Sequence, residues 1–181
     1  SGRYTCRDFG QNYLNTLQEK GNPIIFTNGD NDTFPLWYNQ ETEGFRTDAR
    51  VCNLSYLQTD WYIDQMKSPS YDSPSVPISW KRLQYVSGTN EGIYIYPGTL
   101  DLILQQLRES NISEKQLKST FGENPYDLKN IIDKWVLSND PQVNAIKKQM
   151  QFVDDDGSPL AVIPTDSVVL TVDKEAVKRS G

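Results

Sequence analysis

Residues 24–57 read IIFTNGDNDTFPLWYNQETEGFRTDARVCNLSYL, and the fold turns on how this stretch is divided. The run IIFTN (24–28) is short, apolar and β-prone, which predicts a fully buried strand. Asp32 sits where an N-cap belongs. Thr33 to Glu43 then predicts a helix with Pro35 in its first turn and Gly44 as its stop. ARVCNLSYL (49–57) reads as a second strand. Strand, helix and strand within roughly 30 residues make a βαβ unit, which implies parallel strands joined by a right-handed crossover.

Outward from this unit the pattern stays mixed. Upstream, Phe9, Tyr13 and Leu17 recur every four residues beside Leu14, predicting a helix over 4–20 that stops at Gly21. Downstream, Thr59 or Asp60 caps a short helix through WYIDQMK, and the Pro/Ser-rich stretch 68–79 is a loop. GIYIYP (92–97) is a third β-prone piece, with Tyr94 and Tyr96 on one face. Leu100, Ile103, Leu104 and Leu107 mark a helix over 100–109. Leu128, Ile131, Ile132 and Trp135 mark another over 126–137. Between them, Ser113 and Gln116 form a capping box for 113–121. DDDG (154–157) is an acidic turn, SVVLTV (167–172) a final strand, and Asp173 caps a closing helix. The expected fold is α/β, with a small parallel or mixed sheet on a Rossmann-like βαβ unit and additional C-terminal helices. One soluble domain would span 1–181: a sheet core to about 97, a helical part over about 98–150, and a closing strand and helix over 151–181.

Composition narrows the chemistry. The chain has 181 residues, 36% hydrophobic and 23% charged, as in a globular protein. A net charge of −6 argues against nucleic acid, which calls for a basic surface. No histidine is present, so Ser-His-Asp and Cys-His catalysis and the common catalytic zinc sites are excluded. Chemistry would have to rest on carboxylates, Tyr, Lys or a hard cation. Cys6 and Cys52 read first as two buried thiols, with one disulfide as the alternative in an oxidising compartment. No apolar run reaches the ~20 residues of a membrane span. The start at Ser1 without Met fits a domain cut from a larger protein.

The candidate site follows from the βαβ unit. Ligands of open α/β sheets gather at the carboxyl ends of parallel strands. Asn28, Gly29, Asp30, Asn31, Asp32 and Thr33 follow the first strand; Ser55, Thr59, Asp60 and Trp61 follow the second. These residues would line one crevice, with Trp37 and Trp61 near its walls and Gly29 allowing a close backbone approach. Asp30 and Asp32 have the D-x-D spacing that holds a divalent cation against a sugar nucleotide or phosphate. Three readings stay open: a structural loop whose acids start a helix, a ligand crevice, and a metal site. Haloacid-dehalogenase-like phosphatases do not fit, because Thr33 follows Asp32 at once. Nucleotide-sugar transferases need a larger region ahead of the D-x-D than 29 residues.

Four segments carry a resemblance: RYTCRDFGQNYLNTL (3–17), the run from NPIIFTNGDNDTFPLWY to WYIDQMK (22–67), YDSPSVPISW (71–80) and VIPTDSVVLTVDKEAVKRSG (162–181). They resemble the soluble region of a bacterial multi-pass membrane family of unknown function. Its members are similar to protein O-mannosyltransferases of the polytopic GT-C type. The resemblance implies an accessory domain on the extracytoplasmic, periplasmic side of a bacterial membrane. Its partners would be the membrane-spanning part of its own parent chain and an acceptor protein or glycan. It implies no catalytic residue and no cofactor in this stretch. The rivals are a metal-dependent sugar or phosphate transferase or hydrolase using Asp30 and Asp32, and a purely structural or dimerising domain.

Overall fold

The computed structural model describes residues 4–180. The chain divides into two compact units. The first runs to Thr89 and takes in the residues from Glu175 onward; the second is Asn90–Lys174.

In the first unit, helix α1 (Thr5–Asn15) precedes strand β1 (Ile24–Thr27), helix α2 (Asp30–Glu43), strand β2 (Arg50–Asn53) and helix α3 (Asp60–Met66). The strands pair in parallel, Ile24 opposite Arg50 through Thr27 opposite Asn53. The βαβ unit is therefore present, but its sheet has only these two strands. A Rossmann-like sheet is not seen. With so few strands, β1 is not fully buried: Ile24 and Phe26 are exposed while Thr27 is buried. One covered face produces alternation, not a continuous buried run.

Helix α1 also presents a different face from the expected one. Gly10 and Leu14 are buried, whereas Phe9 and Tyr13 stack on each other in solvent. Gly10 is required there, because a Cβ would lie 2.3 Å from the Pro35 carbonyl oxygen and the Asn39 amide of α2. The helix ends at Asn15, short of Gly21. The Arg46 guanidinium holds its end, donating to the Leu14 and Gln18 carbonyls at 3.1 and 2.8 Å and bidentately to Asp48. Helix α2 stops at Gly44, in the left-handed conformation expected of a terminator.

In the second unit, β3 (Tyr94–Ile95) and β4 (Val162–Ile163) pair in parallel around helices α4 (Thr99–Glu109), α5 (Glu114–Phe121), α6 (Leu128–Ile131) and α7 (Pro141–Gln149). A π-helical turn, Ile132–Val136, continues α6. Leu100, Ile103 and Leu104 of α4 meet Leu117, Phe121, Trp135, Val143, Phe152 and Val162 in one apolar core, with Leu107 packed against it. The Ser113–Gln116 capping box is present. Residues 167–172 do not form a strand. Only Val169 bridges, exchanging backbone bonds with Tyr126 and Leu128, and Leu170 is 71% exposed. Val162–Ile163 takes the sheet position instead. Tyr96 stacks on Phe152 while Tyr94 is exposed, so the two tyrosines differ in surroundings. Asp154 closes the acidic turn by accepting from the Asp156 and Ser158 amides. Helix α8 (Lys174–Ser180) follows Asp173.

Candidate functional site

The ends of β1 and β2 are joined by a buried hydroxyl–amide network. Thr33 donates to the Gly29 carbonyl at 2.6 Å and accepts from Thr27 at 2.7 Å and from the Asn53 amide at 3.0 Å. One hydroxyl thus satisfies three polar groups in the interior. Asn53 Oδ1 accepts from the Ser55 and Tyr56 amides, turning the chain after β2 and fixing Tyr56. The Tyr56 hydroxyl donates to Asp30 at 3.1 Å, and that bond is the main reason its pKa lies above the ordinary tyrosine value.

This network decides the role of the GDND turn. Helix α2 begins at Asp30, with Gly29 as N-cap at φ 82°, so Asp32 is the third helical residue and not the cap. No cap bond from a side chain is made; instead the Thr33 amide and hydroxyl both reach back to the Gly29 carbonyl. Glycine is needed where that φ is positive. The acids still favour the helix N-terminus through its dipole. Among the described residues, no group of three or more His, Cys, Asp or Glu is placed to hold a metal ion.

The loops after β1 and β2 do meet, through Asp30 and Tyr56. Asn28 and Asn31 are exposed, Asp32 is half-buried and Thr33 is fully buried. The Ser55 backbone amide closes the Asn53 turn, Thr59 donates to the Tyr56 carbonyl, and Asp60 lies 3.6 Å from Arg82. None of residues 28–33 lines the cleft described next.

The cleft lies instead along β2, between α2, α3 and the loop 68–73. Its volume is about 870 Å³. Trp37, Tyr56, Trp61 and Tyr71 supply aromatic walls; Gln40, Glu41, Asp64 and Gln65 supply polar groups. Tyr56 ties the rings together, 6.2 Å from Trp37 and 6.0 Å from Trp61 between centroids. Arg50 is buried beneath and donates to the Gln65 and Ser68 carbonyls at 2.8 and 2.7 Å and to the Ser73 hydroxyl. Its planar fork pins the far wall, a task a lysine ammonium would not reproduce. At the tip of that wall Tyr71, at φ 50°, donates to Glu41, and this bond chiefly raises its pKa. Asp64 accepts from Tyr85 at 2.7 Å and pairs with Arg82. Gln40 lines the cleft, is buried, and its amide nitrogen donates to the Arg46 and Ala49 carbonyls.

A family model described as TMEM260-associated domain 2 matches residues 6–181, nearly the whole chain. The chain belongs to that family. It is thus a domain associated with a TMEM260-like membrane protein. No curated protein and no solved structure matches it. No helix among the described residues is long and apolar enough to cross a membrane.

Of the residues expected from sequence, this family member brings Trp37 and Trp61 to the cleft. The polar residues that accompany them carry a signal of their own. WYNQE (37–41) in α2 and WYIDQ (61–65) in α3 both place a tryptophan three and four residues before an amide–carboxylate pair. On a helix that spacing puts all three side chains on one face. Both faces line the cleft.

The two cysteines are free thiols, Cys6 exposed and Cys52 buried. Burial pushes the Cys52 thiol up to about 11, against the opposing pull of Arg50.

Proposed function

We propose that this chain is an accessory domain, on the extracytoplasmic side, of a multi-pass membrane protein resembling protein O-mannosyltransferases, and that its cleft holds the acceptor protein or glycan. The observation that carries this reading is the cleft walled by Trp37, Tyr56, Trp61 and Tyr71. A concave site of a few hundred to 1,000 Å³, mostly apolar with a few convergent polar groups, is what small-ligand recognition uses. Family membership supplies the association with a membrane protein. The transferring acid and the sugar donor belong, in this reading, to the membrane-spanning part. Asp30 starts α2 and supports Tyr56.

The test is transfer by the membrane protein that carries this domain. Trp61→Ala removes a half-exposed ring and leaves the core intact. It should raise the KM for acceptor about tenfold with kcat held, because only binding is lost. Unchanged KM in Trp61→Ala and Tyr71→Ala would contradict the proposal.

A further inference from the structure

The cleft carries two copies of one recognition set. Helix α2 contributes Trp37 with Gln40 and Glu41; helix α3 contributes Trp61 with Asp64 and Gln65. Each set brings an indole to the cleft beside an amide and a carboxylate. That is the complement of a pyranose ring, whose C–H face stacks on an indole while its hydroxyl edge needs both acceptors and donors. We propose that the cleft binds an uncharged oligosaccharide of at least two pyranose units, one unit against each set. The proposal rests on the acceptor-holding reading above and names the chemistry of what is held.

Four observations favour this ligand over others. A volume of about 870 Å³ stands near the upper end of small-ligand sites, with room for more than one ring. The Glu41 carboxylate disfavours anionic ligands such as phosphosugars and uronates, while the charge of Asp64 is balanced by Arg82. The one buried cation at the cleft, Arg50, gives three of its five N–H groups to the Gln65 and Ser68 carbonyls and the Ser73 hydroxyl, which hold it against the wall. Finally, Glu41 keeps acceptor sites for a hydroxyl donor beyond the one used by Tyr71.

Trp61 and Tyr71 are half exposed, at 50% and 56%, so their rings can be removed without opening the core. Isothermal titration of the chain with a methyl hexopyranoside, the corresponding neutral disaccharides, glucosamine, glucuronate and a Ser/Thr-rich peptide separates the possibilities. The expected result is saturable disaccharide binding, at least about tenfold tighter than the monosaccharide, as a second stacked ring contributes. Trp61→Ala should erase that advantage and leave the melting temperature in place. Glu41→Gln should weaken the disaccharide by roughly threefold to tenfold, one hydrogen bond to a charged group made neutral. Equal affinity for one and two rings overturns the proposal. So does binding of glucosamine or glucuronate alone. Binding of the peptide alone overturns it while leaving the acceptor-holding reading in place. Silence from every ligand, with transfer by the membrane protein indifferent to Trp61→Ala, removes both.

Discussion

The two units of this chain solve the problem of an interior differently. The second is built around one apolar cluster of nine buried residues, from Leu100 to Val162. The first has two smaller clusters, of four and three, and holds seven of the ten buried polar residues described. Thr27, Thr33 and Asn53 form a closed hydrogen-bond network, and Gln40 and Arg50 are bound to backbone carbonyls. Buried polar groups add little net stability and cost much when left unmatched. A domain keeps them where they position something. Here they position the start of α2, the turn to Tyr56 and the far wall of the cleft. In the second unit the buried Asp127 accepts from the Lys129 and Asn130 amides and from the Thr171 hydroxyl, beside the larger apolar cluster.

The largest expected effect lies in the apolar unit. Trp135→Ala should cost about 3–5 kcal/mol in urea unfolding, since Trp135 is 1% exposed and stacked on Phe121 at 5.5 Å. Its buried indole N–H finds no acceptor. Trp135→Phe, which deletes that donor, should therefore cost much less than Trp135→Ala; equal losses would break the view of this core as purely apolar. Next comes the polar unit. Thr33→Val should lose roughly 1–3 kcal/mol by stranding the Asn53 amide, and Thr33→Ser should restore most of it. If valine were neutral, the network would be ornament and the contrast between the units would fail.

Lys147 sharpens the comparison from the other side. It is 2% exposed in the apolar unit, and burial alone holds its pKa below the ordinary lysine value. Between the two values the unfolded chain binds more protons than the folded one. Stability should therefore rise with pH across that window and level off at its lower value once the pH is below the folded-state pKa. Lys147→Met should flatten that dependence and add about 1–2 kcal/mol at neutral pH, measured by urea midpoints from pH 6 to 10. A lower midpoint would show that the ammonium is held by something other than its stem. The smallest effect is Ser113→Ala, which should cost about 1 kcal/mol through the lost cap of α5.

Much of the architecture was legible because it is local. The Gly44 stop, the apolar stripe of α4 and the Ser113 capping box follow from spacing within a dozen residues, and the parallel βαβ unit from three such elements in direct succession. What was not legible depends on distant partners. The β-branched run 167–172 has the composition of a strand, but only Val169 finds a neighbour to bridge with. Val162 and Ile163 form a strand because Tyr94 and Ile95 lie beside them. The candidate site divides in the same way. Asp30 and Asp32 drew notice by their spacing, yet Thr33 and Tyr56 draw that turn into the structure. Trp37 and Trp61 were visible as aromatics. Their shared spacing to Gln40–Glu41 and Asp64–Gln65 acquires meaning only when both helix faces are seen to border one cleft.

The central claim is that ligand binds between α2 and α3 and not at the GDND turn. The four tryptophans allow a direct test, because Trp37 and Trp61 line the cleft while Trp135 lies in the other unit's core. Two-dimensional ¹⁵N–¹H spectra would follow the indole signals and the backbone amides of residues 28–33 as a neutral disaccharide is added. The account predicts that the Trp37 and Trp61 indoles move together with saturation, while Trp135 and the amides of 28–32 stay still. Movement confined to residues 28–33, with both cleft indoles unmoved, would contradict it and return the site to Asp30 and Asp32.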